Sequence, residues 1–261
     1  MSIRNTGARH AVPSSNAGCN FDPHSPFTEA FRTLRTNIQF TGVDNQVRTI
    51  LVAGATPGCG KTTTTVNLGV TLAQTGYSVL LVDTDLRKPA LHRYFNIINE
   101  PGLTSLLFDV TMDLNRAVHK SLVENLYILP SGPIPPNPAE LLSTEKMKSM
   151  INVLANRFDY VLFDSPPVMS VTDAAILSRL VNATLFVLDY GRVTREAAVF
   201  ALEQLKKVHA NIIGAVINGV PNRKGYYSYY HYYYSDSGTS RKKDRKNTPG
   251  LEKHYRSGLT I

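Results

Sequence analysis

The chain has 261 residues, 43% of them apolar and 18% charged, with a formal net charge of +8. No apolar run approaches the roughly 18 residues that a membrane span needs, and residues 1–5 lack the apolar core of a signal peptide. From these features we expect neither an integral membrane protein nor a secreted one. The two cysteines, Cys19 and Cys59, do not resemble a structural disulfide, and we expect a cytoplasmic protein.

The positive charge is concentrated at the C-terminal end. Residues 222–261 contain nine basic and three acidic side chains, whereas residues 1–221 contain 19 basic and 17 acidic ones. A basic terminal segment is typical of chains that meet acidic surfaces such as anionic lipid or nucleic acid, and a merely solvated end is the alternative. The globular part is therefore predicted to be nearly neutral.

The first 24 residues are polar, rich in Pro, Ser and Gly and without any period, so we predict a flexible lead. A helical pattern follows over residues 25–40. Its apolar side chains recur at helical spacing and form one stripe: Phe27, Phe31, Leu34 and Ile38.

Short apolar strands and helices then alternate. The predicted strands are 50–53, 79–82, 126–129, 160–163, 184–188 and 212–217. The predicted helices between them are 61–75, 143–156, 172–181 and 194–209. Continuous apolar strands separated by helices indicate an α/β fold with a mostly parallel central sheet and helices on both faces. Residues 130–138 contain five prolines and are predicted to form a rigid loop.

The composition changes at residue 222. Seven of the nine residues 226–234 are tyrosine, and a basic stretch follows at 241–246. Neither a helix nor a strand would bury seven such neighbours on one face, so we predict an exposed, disordered tail. The predicted organisation is a lead over 1–24, a domain over 25–221 and a tail over 222–261.

A phosphate-binding loop follows the first predicted strand. Residues 55–62 read A-T-P-G-C-G-K-T, and a helix pattern begins directly after them. Small residues in this strand–loop–helix context let backbone N–H groups surround phosphates, while the lysine binds the β- and γ-phosphates and the threonine hydroxyl binds Mg²⁺. The expected nucleotide-binding residues are Thr56, Pro57, Gly58, Cys59, Gly60, Lys61, Thr62 and Thr63.

Three aspartates follow two other predicted strands. Asp83 and Asp85 come after residues 79–82, and Asp164 comes after residues 160–163. In open parallel sheets, ligands bind outside the carboxyl ends of the strands, so these acids should converge with Lys61. On an extended segment Asp83 and Asp85 can point the same way, one towards a metal and one towards an incoming hydroxyl. Ordinary strand-end or N-cap aspartates are the alternative.

These segments together resemble a known family. A-x-x-x-x-G-K-T, L-L-V-D-T-D-L-R-K-P and Y-V-L-F-D-S-P-P are similar to the Walker A, A′ and B motifs of the bacterial protein-tyrosine kinases of capsular and exopolysaccharide assembly, the BY-kinases, which have a P-loop NTPase-like fold. Glu29, Arg32 and Arg35 match the family's E-x-x-R-x-x-R element, and the tyrosine run matches its autophosphorylation cluster. The resemblance covers about residues 24–234.

The resemblance implies an ATP-dependent tyrosine kinase that phosphorylates its own tail and regulates capsular or exopolysaccharide synthesis and export. Lys61 and Asp83 would be catalytic, with Asp83 as the base on the tyrosine hydroxyl, and Thr62, Asp85 and Asp164 would organise Mg²⁺. ATP and Mg²⁺ are the implied cofactors. The implied autophosphorylation sites are Tyr226, Tyr227, Tyr229, Tyr230, Tyr232, Tyr233 and Tyr234.

The resemblance also implies partners. These are a transmembrane activator of the polysaccharide co-polymerase type, which recruits the kinase to the inner face of the membrane, and a cognate tyrosine phosphatase. Further copies of the chain would form a ring, an octamer in the family, through Glu29, Arg32 and Arg35. A solvated helix face is the alternative for that stripe. No specific nucleic-acid partner is expected.

A switch ATPase of the MinD or ParA type is the main alternative function, and its membrane or DNA binding would suit the basic tail. Those ATPases resemble the chain in their sheet but carry a lysine near the start of the phosphate loop, where this chain has Thr56. Seven adjacent phenols also favour a kinase over a membrane or DNA tether. A low-complexity adhesion segment is a further interpretation of the tail. Asn218, after the last strand, is either a residue near the base or a plain turn residue.

Overall fold

The computed structural model describes residues 25–41, 47–109 and 111–221. The chain divides into two units, residues 1–220 and 221–261, and the described residues up to Val220 belong to the first. The predicted lead, the tyrosine run and the basic stretch lie outside the described residues, so the proposed three-part organisation stays a prediction.

Seven strands form one sheet in the described part of the chain. They are β1 Thr49–Gly54, β2 Val79–Asp83, β3 His119–Lys120, β4 Leu126–Leu129, β5 Tyr160–Asp164, β6 Ala183–Asp189 and β7 Ile212–Asn218. Their order in the sheet is β3-β4-β2-β5-β1-β6-β7, and all neighbours are parallel except β3 and β4. The predicted, mostly parallel α/β sheet is confirmed.

The described residues form nine helices. They are α1 Pro26–Thr41, α2 Lys61–Ala73, α3 Leu91–Tyr94, α4 Leu103–Phe108, α5 Leu114–Ala117, α6 Pro138–Leu142, α7 Glu145–Arg157, α8 Asp173–Ser178 and α9 Arg195–Lys207. Side chains of α1, α2 and α3 pack in the apolar cluster on one face of the sheet. Side chains of α4 to α9 pack in the cluster on the other face. Because both faces are covered, the central strands are apolar throughout, as a parallel sheet requires.

Neighbouring residues along one strand therefore contribute to opposite layers. In β2, Leu80 belongs to the cluster with α4 to α9 and Leu81 to the cluster with α1 to α3. The helix α2 lies close to the strands, since a Cβ added to Gly69 would come within 2.5 Å of Leu81 Cδ2. A side chain at position 69 would therefore force the Leu81 side chain or α2 to shift, and glycine lets the helix lie close to the strands.

Several short elements escaped the sequence patterns. The strand β3 and the helices α3, α4, α5 and α6 have two to six residues each, too few to show a hydrophobic period. The predicted loop over 130–138 ends with Pro138 as the first residue of α6, a position where a helix tolerates proline because it needs no N–H there. The predicted helix over 172–181 is shorter, Asp173–Ser178.

None of the described helices combines the length and the apolar character needed to cross a membrane.

Candidate nucleotide and phosphoryl-transfer site

The phosphate loop connects β1 to α2, where the sequence predicted it. Gly58 and Gly60 have φ angles of 73° and 97°, a left-handed conformation that glycine adopts without strain. Lys61 is buried, and its Nζ donates a hydrogen bond to the Thr56 carbonyl oxygen at 3.3 Å. The lysine therefore folds back over the loop, in the region where phosphates bind to such loops.

Asn218 supports this loop from the end of β7. Its Nδ2 donates a hydrogen bond to the Cys59 carbonyl oxygen at 3.2 Å. A Cβ added to Gly60 would come within 1.9 Å of the same nitrogen, so the contact also explains the glycine. Sequence reasoning left Asn218 open between a site residue and a turn residue; the structure places it directly against the phosphate loop.

Asp83 and Asp164 lie side by side at the carboxyl ends of β2 and β5, where they are register partners. Both carboxylates are almost fully buried. Thr62, the second residue of α2, donates from its hydroxyl to Asp164 Oδ2 at 2.6 Å. The structure thus brings together the phosphate loop and two of the three predicted acids.

Burial raises the pKa of both carboxyl groups. For Asp83 the pKa rises to about 7, because desolvation outweighs the hydrogen bonds from the backbone N–H groups of Leu91 and Ala90. For Asp164 the pKa rises to about 8, because desolvation and the nearby charge of Asp83 outweigh the Thr62 hydroxyl and the Lys61 charge. Two adjacent buried acids without a cation between them favour retention of a proton.

Asp83 is the last residue of β2, and Asp85 lies beyond the strand. The Asp85 N–H donates a hydrogen bond to Asp83 Oδ1 at 3.3 Å. Asp83 Oδ2 accepts N–H groups from Ala90 and Leu91 at 2.8 and 2.9 Å. Asp85 is half-buried, and its Oδ1 accepts the N–H of Lys88 at 3.0 Å. Short polar side chains accept such local bonds readily, which is why the chain turns here.

One oxygen of the acid pair is suited to a cation. Asp164 Oδ1 is buried and has no hydrogen-bond partner among the described residues. A free carboxylate oxygen beside the Thr62 hydroxyl matches the oxygen ligands that Mg²⁺ prefers. The described part of the chain has no group of three or more His, Cys, Asp and Glu side chains that could hold a metal by itself, so nucleotide phosphates and water would complete the coordination.

Sequence reasoning missed a fourth carboxylate in this part of the molecule, Asp173. Its oxygens accept two hydrogen bonds from Arg87, from Nε at 3.0 Å and from Nη2 at 3.1 Å. Asp173 is fully buried, and Arg87 lies in the turn after β2. Nothing in the sequence links two residues 86 positions apart, so only the folded chain shows the pair.

The charged stripe of α1 has contacts within its own chain. Arg32 Nη1 pairs with Glu29 Oε2 at 3.1 Å, and Arg35 Nη1 donates to the Thr71 carbonyl oxygen of α2 at 3.4 Å. Arg35 is therefore turned towards α2 rather than straight outwards. Its predicted role in oligomerisation stays a prediction, as do the tail tyrosines, which lie outside the described residues.

Comparison with known proteins shows which proteins the chain is similar to. Residues 47–217 match the family described as AAA domain. The chain is 42% identical over 210 residues to the tyrosine-protein kinase YwqD of Bacillus subtilis, covering 80% of this chain and 88% of that protein. It also resembles the solved kinase domain of the Escherichia coli tyrosine kinase ETK, with a TM-score of 0.74 and 30% identity over 86% of this chain and 83% of that chain.

Septum-site ATPases are more distant. The MinD protein of Pyrococcus horikoshii, solved in complex with Mg-ADP, has a TM-score of 0.57 and 26% identity, covering 67% of this chain and 72% of that chain. The sheet and phosphate loop are shared with both classes, but the similarity to tyrosine kinases is greater in sequence and in structure.

Proposed function

The chain belongs to the bacterial tyrosine-protein kinases, and we propose that it transfers the γ-phosphoryl group of ATP to tyrosines of its own residues 226–234. The observation that carries the proposal is a convergence of four side chains at the carboxyl ends of the central strands: Lys61, Thr62, Asp83 and Asp164. Because the relatives are named tyrosine kinases, we expect the phosphoryl acceptor to be a tyrosine hydroxyl rather than water. Control of capsular or exopolysaccharide synthesis and export is the proposed cellular role.

The protein's part in this reaction is positioning and neutralisation of charge. Lys61 and the N–H groups of the phosphate loop would bind the β- and γ-phosphates. Thr62, Asp85 and Asp164 would organise Mg²⁺. When bound, the ion neutralises charge that develops on the phosphate oxygens.

Asp83 is the proposed acceptor of the tyrosine proton. A general base is most effective when its pKa is close to the working pH, and burial raises the pKa of Asp83 towards that range. An unperturbed tyrosine has a pKa of about 10, so the carboxylate assists as the proton leaves in the transition state.

Replacement of Lys61 by Met tests the kinase. Because the phosphates lose the lysine of the loop, we expect ATP-dependent phosphotyrosine to disappear, at least about a 100-fold loss by analogy with the removal of one charge-stabilising group. Arg179→Gln, which removes an exposed cation from the end of α8, is the control. Wild-type phosphorylation in the Lys61→Met protein would refute the assignment of this loop.

Transfer should occur mainly between subunits. About 13 residues separate Pro221 from Tyr234, and an extended chain of that length spans about 40 Å. The test mixes a Lys61→Met chain that keeps its tail with an active chain that lacks residues 222–261. Phosphotyrosine on the inactive chain is the expected result, and its absence would contradict transfer between subunits.

The proposed partners are a transmembrane activator, a tyrosine phosphatase and further copies of the chain. We propose that the activator holds the kinase at the inner face of the membrane. The copies would form a ring through the α1 stripe, where Arg32 and Glu29 present an ion pair and Arg35 braces α1 on α2. A closed ring needs such a heterologous contact, and an octamer is the proposed form.

The ring is tested by the mass of the Lys61→Met protein in light scattering. We expect a large assembly that Arg32→Ala combined with Arg35→Ala converts to smaller species. Phosphorylated wild-type protein should also dissociate, because each phosphotyrosine adds about −1.5 to −2 charge. An unchanged mass in the double variant would show that the stripe is only a solvated face.

A further inference from the structure

The turn after β2 is held by an ion pair with α8, the helix that follows β5. Arg87 in this turn makes a two-pronged ion pair with Asp173, the first residue of α8. The side chain of Asp173 is fully buried, whereas that of Arg87 is 40% exposed. Parallel, paired hydrogen bonds of this kind fix orientation as well as distance.

The same turn carries Asp85. The N–H groups of Arg87 and Lys88 donate to Asp85 Oδ1 at 3.3 and 3.0 Å, and the Asp85 N–H donates to Asp83. A continuous set of contacts therefore runs from Asp83 through Asp85 and Arg87 to Asp173. The orientation of the Asp85 carboxylate depends on N–H groups whose chain segment the ion pair holds.

The anchor itself is rigid. Ala174 and Leu177 of α8 are fully buried in the same apolar cluster as Leu80 of β2. Arg87 uses Nε and Nη2 on Asp173, so this carboxylate fixes the orientation of the guanidinium group. An unpaired charge at position 173 would be costly, so the two side chains form a unit.

We propose that Asp173 is a positioning residue for phosphoryl transfer, acting through Arg87 to hold the turn that orients Asp85 beside Asp83. The proposal rests on the proposed function, since its consequence is a slower transfer step. It distinguishes Asp173 from a residue that only stabilises the fold. Loss of the ion pair should leave the phosphate loop intact and loosen the turn.

Amide hydrogen exchange tests the structural step without reference to activity. In full-length Asp173→Asn protein, we expect exchange in the segment 84–90 to be at least about tenfold faster, because a charged, paired anchor is lost. Exchange in β1 and β5 should not change. An unchanged rate in the segment 84–90 would overturn the proposal, whether or not the protein proves to be a kinase.

Kinetics test the catalytic consequence. With ATP and Mg²⁺, Asp173→Asn should lower the kcat of autophosphorylation about tenfold and leave the KM for ATP within about twofold, because small displacements of reacting groups affect the transition state most. Arg87→Lys keeps the charge without the fork and should do the same. Faster exchange together with wild-type kcat in both variants would show a purely structural pair and overturn the proposal.

Two comparisons complete the test. The variant with both changes should have a kcat no lower than that of the worse single variant, because the two residues act as a unit, whereas multiplied losses would contradict this.

Lys148→Gln breaks an exposed ion pair with Glu145 on α7 and should leave exchange in the segment 84–90 and kcat unchanged. Absence of phosphotyrosine in the wild-type protein would count against the proposed function, while the exchange result still decides whether Asp173 holds the turn after β2.

Discussion

The centre of the sheet and its β7 edge differ in how completely they are covered. Every residue of β1 and β2 is buried, and so is every residue of β5 except Tyr160. In β7 no residue is fully buried, and Ile217 is 58% exposed. The edge contributes Asn218 to the phosphate loop, whereas the centre contributes Asp83 and Asp164.

This difference explains where the chemistry lies. Removal of water around the two central acids raises their pKa and strengthens their attraction to a cation. A parallel sheet that is covered on both faces therefore provides a low-dielectric site at its middle strands. Side chains of the half-exposed edge strand β7 remain in contact with water.

The largest expected effect of disturbing the centre is on catalysis. Asp83→Asn should reduce phosphotyrosine formation at least about 100-fold, because a positioned base contributes about 100- to 10,000-fold, while nucleotide binding is largely spared. Asp164→Asn should also weaken Mg²⁺-dependent ATP binding, since Asp164 carries the free oxygen beside Thr62. Calorimetric titration and phosphotyrosine assays measure the two effects. If both variants bind and phosphorylate like wild type, the division of roles is wrong.

A matched pair of alanine substitutions compares how much each region contributes to the free energy of unfolding. Leu80→Ala in β2 should lower the free energy of unfolding by about 2–5 kcal/mol, because Leu80 is fully buried and leaves a cavity. Ile217→Ala on the exposed edge should change it by no more than about 0.5 kcal/mol. Urea unfolding of the nucleotide-free protein gives both values. Equal losses would mean that β7 is covered in solution by something beyond the described residues.

The pH dependence of stability sharpens the comparison. An acid whose pKa rises on folding stabilises the folded state below its unfolded pKa of about 3.9, and this stabilisation is lost as the pH rises through the folded pKa. For Asp164 the window runs from about pH 4 to about pH 8. We therefore compare the free energies of unfolding of Asp164→Asn and wild type without Mg²⁺. Between pH 5 and pH 8, the difference should shift in favour of the variant by at least about 1 kcal/mol, since one pKa unit corresponds to about 1.4 kcal/mol.

Asp109→Asn is the control for this titration. Hydrogen bonds from Thr111 lower the pKa of the exposed Asp109. The free energy of unfolding of Asp109→Asn should therefore differ from that of wild type by a constant amount between pH 5 and pH 8. Urea unfolding at several pH values measures both differences. A flat difference for Asp164→Asn as well would show that the central acid pair is already ionised in the folded protein.

Much of the fold was predictable because its signals are local. The strands β1, β2 and β5 are continuous apolar runs, and each is followed directly by the loop or acid that carries the chemistry. The phosphate loop needs only its own small residues and the helix that follows. By contrast, α3 to α6 are too short to show a period, and Pro138, which begins α6, stands at the end of a proline-rich run that indicated a loop.

The sequence by itself therefore determined six of the seven described strands, the phosphate loop and the presence of acids at strand ends. Only the tertiary structure decided that Asp83 turns inwards to the N–H groups of Ala90 and Leu91, and that Arg87 finds Asp173. Spacing along the chain encodes which residues share a face or a turn. It does not encode partners 86 residues apart, because strand order and burial, not sequence distance, decide which side chains meet.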